Sequence, residues 1–440
     1  MASIRFSFNN LIHCPLVGRS WALLILLGMV LLGTTFPAQA ILTIEIIGSG
    51  ENQIPIAVVP FTGNAVLAKD VSKVVAVDLQ RSGLFQLIDP AGKAPKGPSD
   101  VVYADWAGVD NLVIGSVNEL PNGRVEVKVR LLDVNKKSEL VAQAVSARKD
   151  QLRAISHRVA DLIYEKLTGD AGIFGTRIAY INRQGQANRL VVADSDGFGE
   201  QAVLAINQPI LSPAWSPDGS HLAYVTLEKG HATVYVQSLY TNQRIELANF
   251  PGSNSAPAWS PDGKHLALVL TRDGSSQIYL VRTNGGELRR LTFGGSIDTE
   301  PNFSPDGQHL LFASDRGGSV QIYRMSVDGG SAERLTFEGS SNFSPRYSPD
   351  GKSFVFSHEL GGRFYVAVYD FESRQIQLLT EGGWEKKPSF SPNGKMVLYS
   401  SEAKLRGILA TVSSDGRVKQ RMFPQSGDIR EPIWGPFLRK

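Results

Sequence analysis

The side chains able to act as bases, nucleophiles or ligands are spread through the 440-residue chain without the spacing that a common reaction requires. Of seven His, His221, His265 and His309 recur at one phase of a repeat, so strand geometry explains them better than a unique site. His157 falls on a predicted helix between Arg153 and Arg158 and reads as part of a solvated face. His231 and His358 lack a His-x-x-x-His partner, and His13 precedes an apolar leader. Asp218, Asp262, Asp306 and Asp350 each sit in a Pro-Asp-Gly turn, one per repeat, and read as turn residues rather than acids or calcium ligands. There is no Gly-x-Ser-x-Gly elbow and no phosphate-cradling loop. Gly169, Gly172 and Gly175 follow a helix, which argues against a dinucleotide site. Asn302-Phe-Ser and Asn342-Phe-Ser match a glycosylation pattern but lie beside the predicted inner strands. No catalytic residue, metal site or cofactor is expected.

Charge and cysteine content narrow the class further. Lys and Arg number 45 against 42 acids, a net charge of +3 that is too thin for a nucleic-acid binder. Residues 1–20 carry Arg5 and Arg19 and no acid, and the uncharged run Trp21–Leu32 follows. Then comes Ala38-Gln39-Ala40, the small-x-small end of a secretory signal peptide, with cleavage expected after Ala40. Twelve apolar residues rise about 18 Å as a helix, short of a hydrocarbon core of about 30 Å, so no membrane insertion is expected after cleavage. Cleavage removes two Arg and the only Cys, Cys14, and lowers the net charge to +1. A cysteine-free mature chain suits an oxidising compartment and excludes thiol catalysis.

A repeat organises the larger part. Pro213-Ala-Trp-Ser-Pro-Asp-Gly219 returns at Pro257, Pro301 and Pro345, as Pro388-Ser-Phe-Ser-Pro-Asn-Gly394, and in degenerate form at Pro432-Ile-Trp434. Successive prolines are 44, 44, 44, 43 and 44 residues apart. Each unit reads as four short strands punctuated by Gly turns, the pattern of a β-propeller blade. The first unit has later strands (177–206) but no aromatic segment directly before them, whereas Pro432-Ile433-Trp434 has none after it. The ends are complementary, which predicts six blades closed by the C-terminal strand.

Residues 41–170 lack the repeat and read as a small α/β domain. Strands are expected at 41–47, 54–59, 85–88, 111–120, 124–134 and 139–146, with Pro121-Asn-Gly123 marking a hairpin. Helices are expected over 64–82 and 150–167. The domain division is therefore a leader at 1–40, an α/β domain at 41–170 and an all-β six-bladed propeller at 171–440. The positions just before each inner strand differ between repeats: Ser253-Asn-Ser-Ala256, Asp298-Thr-Glu300, Glu385-Lys-Lys387 and Asp428-Ile-Arg-Glu431. Loops there would gather around the channel as a varied polar rim suited to binding.

These features together resemble the TolB family, the periplasmic propeller component of the Tol–Pal cell-envelope system. The resemblance spans the mature chain and is carried by the leader, Ile54-Pro-Ile-Ala-Val-Val-Pro-Phe61, Glu165-Lys-Leu-Thr-Gly169, Thr176-Arg-Ile-Ala-Tyr180 and the Pro-x-aromatic-Ser-Pro-Asp-Gly repeats. It implies a non-enzymatic periplasmic adapter supporting outer-membrane integrity and envelope constriction during cell division. The implied partners are the peptidoglycan-associated lipoprotein Pal on the propeller face and the TolA C-terminal domain on the segment after cleavage. Other outer-membrane or colicin-type proteins are further partners. Carried onto this chain, the TolA-binding segment is Ile41, Leu42, Thr43, Ile44, Glu45, Ile46, Ile47 and Gly48. That segment also reads as an ordinary strand of the α/β domain, and the two readings are compatible as two states. The Pal-binding positions are Ser253, Asn254, Ala256, Thr299 and Glu300, with Ser253 standing where the best-known members have His. The rival classes are a propeller-containing periplasmic hydrolase and a receptor for a small ligand or ion in the channel.

Overall fold

The computed structural model describes residues 43–48, 53–423 and 426–438; the expected leader with Ala38 and Ala40, and Ile41 and Leu42, lie outside them. The α/β domain is built from β2 (Ile54–Val58), β3 (Thr62–Gly63), β4 (Phe85–Leu87), β5 (Asn111–Glu119), β6 (Arg124–Asp133) and β7 (Ser138–Arg148). Its sheet has the order β4-β2-β5-β6-β7, with β3 also beside β5. The β2 pairings with β4 and β5 are parallel, and β5-β6-β7 is an antiparallel meander. Helices α1 (Ala65–Arg81) and α2 (Leu152–Thr168) cover one face of this sheet. Their Val71, Val75, Leu79, Ile155, Val159 and Ile163 are buried against Ile56, Val113, Val127 and Val129. Asn64 caps α1 by accepting the Leu67 N–H, and α2 ends at Gly169, whose φ of 80° closes the last turn.

The remainder is a ring of six four-stranded antiparallel sheets. Their innermost strands are Asp428–Trp434 for blade one, then Ile210–Trp215, Asn254–Trp259, Asp298–Phe303, Ser341–Tyr347 and Lys386–Phe390. The repeat has a local chemical cause at each Ser-Pro-Asp-Gly. In blade two the Gly219 N–H donates to Ser216 O, Ser216 Oγ donates to Asp218 at 2.6 Å, and the His221 N–H donates to Ser216 Oγ at 2.9 Å. Asp262, Asp306 and Asp350 repeat the arrangement with Ser260, Ser304 and Ser348. The aspartates thus act inside separate turns, and His221, His265 and His309 share a backbone role as first residues of their strands.

Closure follows the complementary ends. Asp428–Trp434 pairs antiparallel with Arg177–Gln184, completing blade one from the two extremes of the propeller sequence. Trp434 is buried among Ile178, Tyr180, Met396 and Leu398 of blades one and six, and its Nε1–H donates to Thr176 Oγ1 at 2.9 Å. Strand β1 (Thr43–Ile47) is not part of the α/β sheet. It lies antiparallel on Lys419–Phe423, making blade six five-stranded, with Thr43 opposite Phe423 and Ile47 opposite Lys419. This corrects the reading of the segment as an ordinary strand of the α/β domain. The reason is an open row of N–H and C=O groups on an outer blade strand, which any extended segment can satisfy. Replacing Trp434 with Ala should cost about 3–5 kcal/mol in urea unfolding, through the cavity and the lost closure contact. An unchanged midpoint would show that the last strand does not hold the ring.

Candidate functional site

Ring closure brings one residue of each inner strand to the channel. Ser212, Ala256, Glu300, Ser344, Lys387 and Glu431 each precede a proline, and all have φ between 47° and 56°. Non-glycine residues in this region are strained by about 1–3 kcal/mol. The strain coincides with a break in register in every inner strand, for example between Leu211 and Ala214 and between Thr299 and Asn302. The break leaves N–H groups without a ladder partner, and acids from the preceding blade satisfy two of them. Glu431 accepts from Ser212 N at 2.8 Å, and Glu300 accepts from Ser344 N at 2.7 Å and Ser344 Oγ at 2.9 Å. Glu300 also pairs with Lys387 across the channel. Burial would raise the Glu300 carboxyl, but Lys387 and the Ser344 donors hold it at about 2. These groups leave a constriction of about 20 Å³, room for one water.

The five Pal-binding positions expected from the resemblance converge on this mouth, at the start of the inner strands of blades three and four. Their side chains are not equivalent. Asn254 is fully buried and ties its own loop together, accepting from Phe250 N at 2.9 Å and donating to Phe250 O at 2.8 Å and Ala232 O at 3.1 Å. Asp298 and Asn342, at the same phase, are also buried, the first bidentate to Arg316 and the second bonded to Gln321 and His358. The expectation of a varied polar rim just before each inner strand is corrected accordingly: all but Ser253 and Glu385 of these positions lie within the strands, and Asn254 and Asp298 are internal staples. Ser253, Ala256 and Thr299 are half-buried at the surface of the mouth. Asn302 likewise sits within its strand, accepting from Tyr347 N at 2.8 Å.

On the opposite side, where the Pro-Asp-Gly turns lie, the α/β domain meets blades one and six. Lys395 pairs with Asp170, Asn393 Nδ2 donates to Ala171 O, and Gln420 donates to Arg81 O. At the centre stands His157, 1% exposed, with Nδ1 2.5 Å from Asp78 and Nε2 3.6 Å from Asp194. This corrects the solvated-face reading. The residue lies on the side of α2 that faces α1 and the propeller, and local sequence contains no sign of either neighbour. Arg81 lies 3.7 Å from both Asp78 and Asp196, and Arg153 bridges Asp194 and Asp196 while its guanidinium covers Phe198. Burial alone would lower the His157 pKa, but Asp194 and Asp78 outweigh it and raise it to about 9. His157, Asp194 and Asp196 present donor atoms close enough together for a metal ion, but Arg153 and Arg81 already supply the cations these acids require.

The sign of the resulting pH dependence is definite. A His whose folded pKa exceeds its unfolded value stabilises fully below about 6.5 and loses that contribution as pH rises through about 9. The shift corresponds to roughly 3 kcal/mol. Urea unfolding should therefore weaken between pH 7 and 9.5, and His157→Gln should be less stable at pH 6.5 with a flattened slope above pH 7. A slope identical in the variant would remove His157 as its source.

Relatives and solved structures place the chain. Residues 42–140 match the family model for the TolB amino-terminal domain, and residues 164–438 that for the TolB beta propeller domain. Tol-Pal system protein TolB of Nitrosomonas europaea is 57% identical over 414 residues, covering 94% of this chain and 97% of its own. The protein of that name from Methylobacillus flagellatus is 58% identical over 411 residues, covering 92% and 95%. The crystal structure of TolB from Acinetobacter baumannii superposes with a TM-score of 0.83 at 36% identity, covering 90% of this chain and 100% of that one. A propeller alone hosts many unrelated functions, so the joint match of both domains in order carries the assignment. The chain belongs to the TolB family of Tol-Pal system proteins.

Proposed function

We propose that this chain is a non-enzymatic periplasmic adapter of the Tol–Pal system. In this reading the propeller face around Ser253, Ala256, Thr299 and Glu300 receives Pal, and the segment Ile41–Gly48 receives TolA. The linkage between them supports outer-membrane integrity and envelope constriction during division. The observation that carries the reading is the placement of β1. It is held to blade six by strand pairing, the same interaction by which an extended segment adds to the edge of a partner's sheet. A strand that can occupy either edge is a binding element with a built-in competitor. Gly48 marks the docked state: its φ is 84°, and a Cβ built there would lie 2.3 Å from Arg417 O.

The family membership and the two-domain match support the adapter reading over the hydrolase and the small-ligand receptor. Among the described residues no helix is long and apolar enough to cross a membrane.

Deleting residues 41–48 should abolish TolA binding in calorimetry while leaving Pal binding and the propeller melting transition unchanged. Retained TolA binding would overturn the assignment of the segment. Gly48→Ala should disfavour docking on blade six and tighten TolA binding several-fold; weaker binding would show that the docked strand, not the released one, is the competent form.

A further inference from the structure

Antiparallel alternation within each blade fixes which loops share the face of the inner-strand starts. They are the links from each outer strand to the next inner strand, and the hairpins joining second and third strands. Blades three to six carry on these loops the exposed side chains Phe293, Ile297, Phe337, Leu360, Trp384 and Leu405. The α/β domain contacts the other side of the ring, so it does not cover them.

The fold does not require these residues to be apolar. In Leu291-Thr292-Phe293 and Leu335-Thr336-Phe337 the Leu is buried and the Thr hydroxyl accepts an inner-blade N–H at 2.9 Å. Phe293 and Phe337 are each 70% exposed. Each ring instead supports a cation. Arg290 and Arg334 donate Nε–H to the carbonyls of Thr292 and Thr336, at 2.7 and 2.8 Å, which lays the guanidinium over the following phenyl ring. Lys386 lies over Phe364 and Trp384, 3.8 and 4.7 Å from their ring centres. Arg334 makes no ion pair among the described residues. The result is two copies of a preorganised ring-and-guanidinium clamp, continued by an aromatic ledge. It is flanked by the taller hairpins of blades five and six, whose strands run to eight residues against six in blades two to four.

We propose that this arc over blades three to six is the main docking surface for a folded protein that presents carboxylates flanked by apolar side chains. Apolar groups of the partner cover the rings, and a carboxylate takes the guanidinium edge of Arg334, whereas Arg290 already lies 3.9 Å from Asp273. Exposed aromatics beside fixed cations are the residues that dominate interface energies. The surface extends the reading of the propeller face as the Pal site and rests on it; it runs from the link that leads into Thr299 and Glu300 onward to blades five and six.

The test is titration calorimetry of the soluble domain of Pal against the full mature chain. Phe293→Ser with Phe337→Ser should weaken binding at least 10-fold, as should Trp384→Ser. Arg334→Gln should weaken it about fivefold and reduce its salt dependence. Tyr240→Ser, 75% exposed on the opposite side, should leave both affinity and melting temperature unchanged. Binding by the unaltered chain that the Phe and Trp variants leave intact, with their folds intact by circular dichroism, would overturn this surface and spare the adapter reading. No Pal binding by the unaltered chain would overturn both.

Discussion

Pairing of Asp428–Trp434 with Arg177–Gln184 is the interaction on which the ring, its channel and its two faces depend. It joins residues some 250 positions apart, and it turns a linear array of strands into a ring with two distinct faces. Without it the six pre-proline residues would not meet, and Glu431 could not reach Ser212 nor Lys387 reach Glu300. The same closure brings Thr176 to the Trp434 indole, which fixes the point where the α/β domain enters the propeller. An unclosed repeat would expose both terminal edges to pairing with other chains.

Backbone strain recurs once per blade at the channel. Six residues at positive φ before prolines break the inner ladders, and carboxylates of neighbouring blades satisfy two of the freed donors, at Ser212 and Ser344. The mouth is therefore rigid where it is narrowest and variable only in the loops beyond it. Partner recognition is better served by such an arrangement than by a mobile rim, because the anchors keep their spacing.

The opposite face carries a different kind of coupling. Charges from α1, α2 and blade one neutralise each other around His157, whose acid neighbours Asp194 and Asp78 raise its pKa against the effect of burial. Strand β1 adds a second tie between the amino-terminal segment and blade six, made through strand pairing and largely insensitive to side-chain identity. One tie is a cluster of buried charges and the other a row of backbone hydrogen bonds.

The repeat spacing alone determined the blade count, the turn chemistry of each Asp and the closure by the last strand, because each rests on local hydrogen bonds repeated in phase. The helices and hairpin of the α/β domain were legible for the same reason, to within a few residues. The burial of His157, Asn254 and Asp298 was not, since each is decided by groups that approach from distant segments. The apolar arc at Phe293, Phe337 and Trp384 was equally invisible: an aromatic in a repeat looks like core until the packed blade shows that nothing covers it. The edge chosen by β1 likewise belongs to tertiary structure. A strand's own sequence sets its propensity to pair, whereas the open edge it meets depends on how the whole ring closes.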